Sequence, residues 1–390
     1  MTNHRKPIKI TFDATAMLVE RTGVAYYTER LVTHLAQQYP DDIQLTGFYY
    51  NFLGRRDSSH LPRFKNLRYT RASIIPSKIV YQLRRWGIEF PIEILSLTRS
   101  DFILYPNFLS YPSLRGTPSA PVIHDLTYID LPEYVSAKLR SDLVRFVPKA
   151  IKRSAFVVTV SEFSKRGLEH NYHVPANDIL VTPIPPPPPA PVPAGERYKV
   201  LKKYGIDKPY ILFVGTIEPR KNIPGLIDAY LRLPKDIRDA HTLVIVGRIG
   251  WNCETEVAQL EAAAKNGHDV IHLGYVTDRA KDILYQNAAL FVTASQYEGF
   301  GMPILEAMSY GTPCAISDIP VFKEIAGDAA AYFDCHDSND IARTIQYQLT
   351  HPDEAERLGL AGQAHADSYS WEKVAASVYE KIKAALDQQA

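Results

Sequence analysis

The sequence predicts an α/β protein of two doubly wound, Rossmann-like parallel-sheet domains. Two separate series of short apolar runs alternate with segments of helical period, and no long antiparallel stretch interrupts either series. A run of prolines divides the two series. The chain of 390 residues has room for two or three domains, each with its own core.

The first series opens with residues 8–13, an alternating strand, after which Gly23 starts a helix with Val24, Tyr27, Leu31 and Leu35 at helical spacing. A glycine between first strand and first helix lets the backbone approach a ligand closely, although a plain turn needs one equally. Residues 44–49 form a second strand. The segment 55–99 is locally basic, with ten Lys/Arg (Arg55, Arg56, Arg63, Lys65, Arg68, Arg71, Lys78, Arg84, Arg85, Arg99) against Asp57, Glu89 and Glu93. It also carries Ile79, Leu83, Trp86, Ile88 and Phe90. That mixture suits either a solvated loop with an ordinary amphipathic helix or a surface that lies on an anionic membrane. Residues 102–105 and 120–123 are buried-type strands, the second ending in His124-Asp125 at a carboxyl edge, where open parallel sheets hold ligands. Residues 156–160 lead to Ser161, an N-cap for a helix over 162–170, and strand 178–181 closes the half.

The prolines between Thr182 and Pro193 require an extended, stiff spacer of polyproline II type. Domain boundaries follow: 1–182, a linker over 183–194, and a second domain over 195–370. In the second series, strand 210–214 runs into Gly215-Thr216-Ile217-Glu218-Pro219-Arg220-Lys221-Asn222 and a helix from Ile223. Strands follow at 242–246, 270–276, 289–294 and 314–316. The fourth of these five strands turns through Glu298-Gly299-Phe300-Gly301-Met302-Pro303, with Pro303 suited to the first position of a helix stopped by Gly311. The tail from Trp371 carries Val374, Val378, Ile382 and Leu386 on one stripe of a helix.

Composition narrows the function. A net charge of +1 provides no global field for nucleic acid. Cys253, Cys314 and Cys335 have no metal-ligand spacing, which fits a reducing compartment. No secretion signal opens the chain and no apolar run approaches the roughly 20 residues of a membrane span, so a cytoplasmic or membrane-attached protein is expected.

The turns carry the chemistry. Arg220-Lys221 follows a strand and a glycine, with Asn222 as cap of the next helix, and two cations beside a positive helix end make a diphosphate site. Adjacent cations repel, so the pair calls for an anion. Glu306 suits a ribose and Glu298 a sugar hydroxyl, two grips on one long ligand. There is no P-loop, no Asp-x-Asp and no His/Cys cluster of ligand spacing, so no metal and no further cofactor are called for. Arg220 and Lys221 would then neutralise the departing diphosphate.

These residues resemble the retaining family-4 glycosyltransferases of GT-B fold, in which two Rossmann-like domains face a cleft. Glu298 to Glu306 matches the family's Glu-x7-Glu element, including Gly-Phe-Gly, and Gly215 to Asn222 matches its Gly-x-x-x-x-Arg-Lys-Asn segment. His124-Asp125, the stretches 160–164 and 317–324, and Trp371 extend the likeness over nearly the whole chain. The resemblance implies that Arg220 and Lys221, with Gly215, bind the diphosphate and Glu306 the ribose. Glu298 and the backbone of Phe300, Gly301 and Met302 would hold the donor sugar. Gly23 would approach the phosphates, His124 would hydrogen-bond the sugar or its leaving group, and Gly274-Tyr275-Val276 would meet the base. It further implies that the first domain, completed by 371–390, binds the acceptor and the second the nucleotide-diphosphate sugar. The reaction implied is metal-independent hexosyl transfer with retention to a lipid-linked or polysaccharide acceptor, in polysaccharide or cell-envelope synthesis at the inner face of the membrane. GDP-mannose is the first expected donor and a UDP-hexose the alternative. A nucleotide-sugar epimerase and a non-catalytic nucleotide-sugar-binding protein are the readings from other classes. Two departures stand out: Gly23-Val24-Ala25 has one glycine where the family often has Gly-x-Gly, and the proline run replaces a short Pro-x-Gly linker.

Overall fold

A computed structural model of the chain describes residues 6–18, 22–51, 54, 57–72 and 75–388. Arg55 and Arg56 of the basic segment, and the first five residues of the opening read for a secretion signal, lie outside the described residues. The chain divides into two compact units. One comprises Met1–Ile129, Ala137–Ile184 and Ser370–Ala390; the other comprises Asp130–Ser136 and Pro185–Tyr369.

In the first unit, strands β1 (Ile8–Asp13), β2 (Ile43–Tyr50), β3 (Leu67–Ala72), β4 (Phe102–Tyr105) and β5 (Ser119–Pro121) form a parallel sheet in the order β3-β2-β1-β4-β5. The order reverses between β1 and β4, the feature that defines a doubly wound sheet. Strands β6 (Val157–Thr159) and β7 (Ile179–Val181) pair in parallel beside it, linked by a bridge between Val122 and Val158. Helix Gly23–Gln38, capped by Thr22, buries Tyr27, Leu31, Val32 and Leu35. Each such side chain contributes about 1.5–3 kcal/mol. The C-terminal helix Trp371–Asp387 packs on it, with Trp371 edge-on to Tyr26 and Tyr27 and Tyr379 stacked on Tyr39 at 3.8 Å.

The second unit is a six-stranded parallel sheet of β8 (Tyr210–Val214), β9 (Thr242–Val246), β10 (Val270–Gly274), β11 (Leu290–Thr293), β12 (Cys314–Ser317) and β13 (Ala331–Phe333). Its order is β10-β9-β8-β11-β12-β13, with the reversal between β8 and β11. The core joins Ile211, Phe213, Leu226, Ile245 and Val292.

Four local expectations need correction. Strand β3 lies inside the segment read as loop and helix. Only its end residues Leu67 and Ala72 are buried and it is an edge strand, so it shows no apolar alternation. Strand β13 is another short edge strand that was not expected. The helix after Gly301 begins at Met302, so Pro303 takes its second position, not its first. The strand expected over 270–276 stops at Gly274, whose φ of +62° turns the chain before Tyr275.

Candidate functional site

Three neighbouring strands of the second sheet, β8, β9 and β10, run into or end on a glycine at their carboxyl ends: Gly215, Gly247 and Gly274. Gly215 N–H donates to the Val246 carbonyl at 2.9 Å, and Gly247 N–H to the Gly274 carbonyl at 2.9 Å. A Cβ at Gly247 would lie 1.8 Å from the Gly215 carbonyl oxygen, so that position is bare backbone of necessity.

Beyond Gly215 the chain makes one helical turn, Pro219–Lys221, and enters the left-handed region at Asn222 (φ +52°). Asn222 is locked there: its side-chain oxygen accepts from Gly225 N–H at 3.2 Å and its amide donates to the Cys335 carbonyl at 2.7 Å. This fixes Arg220 and Lys221 beside the end of β11. The Gln296 N–H donates to the Arg220 carbonyl at 2.8 Å, and the Arg220 guanidinium donates to the Tyr297 carbonyl at 2.9 Å.

Arg220 and Lys221 both donate to the carboxylate of Glu298. Ser295 donates a further bond to Glu298 at 3.0 Å, and Glu218 pairs with Arg220 at 2.6 Å. Glu218, Lys221 and Glu298 are buried. Burial alone would push the Glu298 carboxyl up, but the charges and hydrogen bonds of Arg220 and Lys221 outweigh it and bring its pKa down to about 2. The anion that the adjacent cations call for is therefore present in the protein itself. The juxtaposition of Arg220 and Lys221 does not by itself require a ligand, which corrects that step of the sequence argument. The two positive and two negative side chains balance, and an arriving diphosphate would have to take over the cations from Glu298.

Glu306 lies in helix Met302–Ser309 but in separate company. Lys281 donates to one carboxylate oxygen at 2.7 Å and the Tyr285 hydroxyl to the other at 2.8 Å. Burial works against the Lys281 charge, yet Glu306 raises its pKa on balance. Each Glu306 oxygen keeps a lone pair for a further donor. Gly301, at φ +116°, starts the helix, which has no side-chain cap. The backbone N–H groups of its first turn therefore have no capping side chain. Phe300 is buried edge-on to Tyr369, so its side chain is core. Tyr275 is exposed beneath the Arg248 guanidinium at 4.5 Å, whereas Val276 is buried and can offer a ligand only its backbone.

His124 and Gly23 belong to the first unit. Gly23 is the first residue of its helix and is exposed. The His124 Nε2 lies 2.8 Å from the Pro106 carbonyl oxygen. A carbonyl only accepts, so Nε2 carries the proton. Burial lowers the pKa of His124, so the ring is neutral at pH 7 and its Nδ1 is an acceptor. The ring sits edge-on to Tyr27 and Phe108. Asp125 accepts from Thr127 N–H at 3.1 Å and so acts as a local cap.

The structure thus gathers Arg220, Lys221 and Glu298 into one cluster, sets Glu306 in a second, and holds His124 and Gly23 on the other unit. Sequence reasoning missed Glu218, Ser295, Lys281 and Tyr285. The signal for Glu218 was adjacency to Arg220; for Lys281 and Tyr285 it was their four-residue spacing on helix Asp278–Asn287, which puts both on one face.

The profile of the family described as "Glycosyl transferases group 1" matches residues 197–365. The chain is 31% identical over 382 residues to O-antigen chain mannosyltransferase B of Escherichia coli, covering 94% of this chain and 97% of that protein. Among solved structures it is similar to a sucrose-phosphate synthase from Thermosynechococcus elongatus (TM-score 0.73, 18% identity, 98% and 100% of the two chains). It is also similar to Anabaena HepE in complex with UDP-glucose (TM-score 0.67, 16% identity, 97% and 100%). At these identities the structural likeness shows the fold, the two-sheet GT-B architecture.

Proposed function

The chain belongs to the group 1 glycosyl transferases, and on that premise we propose that it moves mannose from GDP-mannose to a surface-polysaccharide chain, with retention of anomeric configuration. The observation that carries the chemistry is the Arg220–Lys221–Glu298 cluster: two fixed cations whose internal anion a diphosphate can replace. The sugar and the acceptor rest on the similarity to an O-antigen chain mannosyltransferase.

In this reading the second unit holds the donor. Arg220 and Lys221 bind the diphosphate, next to Gly215. Glu306 accepts from ribose hydroxyls, steadied by Lys281 and Tyr285, and the Tyr275-Val276 turn meets the base. Released from the cations, Glu298 accepts a donor-sugar hydroxyl, beside the backbone of Phe300, Gly301 and Met302. Gly23 leaves space for phosphate. His124 accepts a hydroxyl hydrogen at Nδ1, since its Nε2 proton is committed to Pro106.

The bond between C1 and the diphosphate oxygen breaks with its electron pair going to the diphosphate, where Arg220 and Lys221 gather the developing charge. The acceptor oxygen bonds to C1 from the same face, and its proton passes to the departing diphosphate. Retention follows without a side-chain nucleophile. The cations hold charge that grows along the reaction, so they favour the transition state over the ground state.

The first unit holds the acceptor. Among the described residues no helix is long and apolar enough to cross a membrane. Exposed Trp86, Ile79 and Ile88, next to Lys78 and Arg85, suit peripheral contact with the anionic inner face of the cytoplasmic membrane. Flotation with anionic liposomes at low salt tests this; a protein left in the bottom fraction refutes it.

The donor is tested by a thermal-shift panel of GDP-, UDP-, ADP- and dTDP-sugars. GDP-mannose should give the largest shift, about 2.7 kcal/mol of stabilisation at a hundredfold excess over Kd. A larger shift from a UDP-hexose would overturn the assignment of the sugar nucleotide. Epimerised donor in the absence of acceptor would overturn transfer.

A further inference from the structure

The second unit includes a short length of chain from well before the proline run: the backbone leaves the first unit after Ile129 and rejoins it at Ala137. The segment between, Asp130–Ser136, holds one helical turn, Pro132–Tyr134. That turn is closed by its own backbone, with Tyr134 N–H donating to the Leu131 carbonyl at 3.0 Å and Val135 N–H to the Pro132 carbonyl at 3.3 Å.

We propose that Asp130 and Tyr134 are positioning residues for transfer: they pin the two residues that precede Glu298, and through them hold Arg220 and Glu298 in working geometry. The proposal rests on the glycosyl-transfer reading above.

The hydrogen bonds carry the argument. The Tyr297 hydroxyl donates to the Asp130 carboxylate at 2.8 Å, while the Tyr297 carbonyl accepts from the Arg220 guanidinium at 2.9 Å. The Tyr134 hydroxyl donates to the Gln296 side-chain oxygen, while Gln296 N–H donates to the Arg220 carbonyl at 2.8 Å. Each of the two residues is thus gripped by the segment at one end and by Arg220 at the other. Glu298 follows them directly and accepts from both cations. The Tyr134 carbonyl also accepts from the Trp251 indole N–H at 2.9 Å, which fastens the segment to the loop after β9. That loop is bonded in turn to the stretch leading into Arg220, through Gly250 N–H to the Ile217 carbonyl and Ile217 N–H to the Arg248 carbonyl, both at 2.8 Å.

Burial shows on which side of these bonds the loss would fall. Asp130 is exposed and would turn to water, whereas Tyr297 is buried and its hydroxyl depends on a protein partner. Burial, and after it the Glu133 charge, raises the Tyr134 pKa, so that hydroxyl stays a donor at neutral pH. Fixed cations act most on charge that develops during the reaction, so a loosened 295–298 loop lowers turnover more than donor binding.

The test compares wild type, Tyr134→Phe, Asp130→Ala and Asp130→Asn as full chains. It pairs steady-state transfer to α-mannobiose with hydrogen exchange of peptides spanning 295–298. The donor is GDP-mannose, or whichever sugar nucleotide of the panel the wild type uses. Tyr134→Phe and Asp130→Ala should each lower kcat about fivefold or more, with the donor KM changed by about twofold at most. Exchange across 295–298 should quicken by a similar factor in both, with β8 and β9 unaltered. Asp130→Asn keeps an oxygen that accepts from the Tyr297 hydroxyl and should restore kcat close to wild type. Wild-type kcat in both Tyr134→Phe and Asp130→Ala, unaltered exchange at 295–298, or an Asp130→Asn as slow as Asp130→Ala would each overturn the positioning role. So would faster exchange throughout the second unit, the sign of a general loss of stability. A wild type that transfers from no sugar nucleotide would instead overturn the transfer reading, and exchange at 295–298 would then decide by itself whether the segment pins the loop.

Discussion

Substituting Glu298 by Gln removes one buried charge with little change of shape and should move two observables in opposite directions. The Glu298 carboxyl drops from its ordinary 4.5 to about 2 because of Arg220 and Lys221. At about 1.4 kcal/mol per pKa unit, that fall corresponds to about 3 kcal/mol of stabilisation at neutral pH. The folded pKa is depressed, so this stability is fully present above pH 4.5 and is lost as the pH falls toward 2. Glu298→Gln should therefore unfold about 3 kcal/mol more easily at pH 7, and the difference from wild type should shrink steadily below pH 4.5. Its two cations are left without their shared anion, so GDP should bind the variant more tightly, roughly tenfold or more, because the diphosphate no longer displaces a carboxylate. Turnover should fall, since the sugar loses a grip and the product leaves slowly. Urea unfolding across pH 2 to 8, with GDP titration of both proteins, reads all of this. A variant as stable as wild type at pH 7, or one that binds GDP more weakly, would refute the idea that Glu298 acts as the internal counter-anion.

Other substitutions separate the remaining roles. Lys281→Met leaves the buried Glu306 without its cation and should cost about 3 kcal/mol of stability and weaken nucleotide binding; the double variant with Glu306→Gln should regain most of the stability but not the binding. Chemical denaturation paired with GDP titration checks it. His124→Ala should lower kcat at least tenfold with donor affinity little changed, and wild-type kinetics would remove His124 from the reaction. Gly247→Ala would force a Cβ into the Gly215 carbonyl and should destabilise the protein by about 3 kcal/mol or more, read as a lowered Tm.

The parts of this protein legible in the sequence were those specified locally. Apolar strands buried on both faces, such as β8 and β9, show as unbroken hydrophobic runs, and Asn222 and Ser161 sit where a cap must sit. Strand β3 was hidden because an edge strand can carry Arg68 and Arg71 without cost, so its pattern resembles a basic loop. The start of helix Met302–Ser309 was misplaced by one residue because proline is tolerated anywhere in a first turn. In the site, the residue types were readable but the partnerships were not. Arg220 and Glu298 are 78 positions apart, and no local rule shows that they meet. Lys281 and Glu306 are 25 positions apart on two helices whose facing sides only the packing of the sheet decides. An Arg-Lys pair reads in sequence as a demand for an external anion; the fold answers that demand internally, through Glu298 and Glu218.

Transfer itself is measured as product formation from GDP-mannose with and without an α-mannobiose acceptor, in wild type and in Lys221→Ala, with chromatography for GDP and NMR for the new linkage. The wild type should release GDP only when acceptor is present and form an α-linked trisaccharide, and Lys221→Ala should lose both. Undiminished transfer by Lys221→Ala, or a β-linked product, would contradict the proposed reaction.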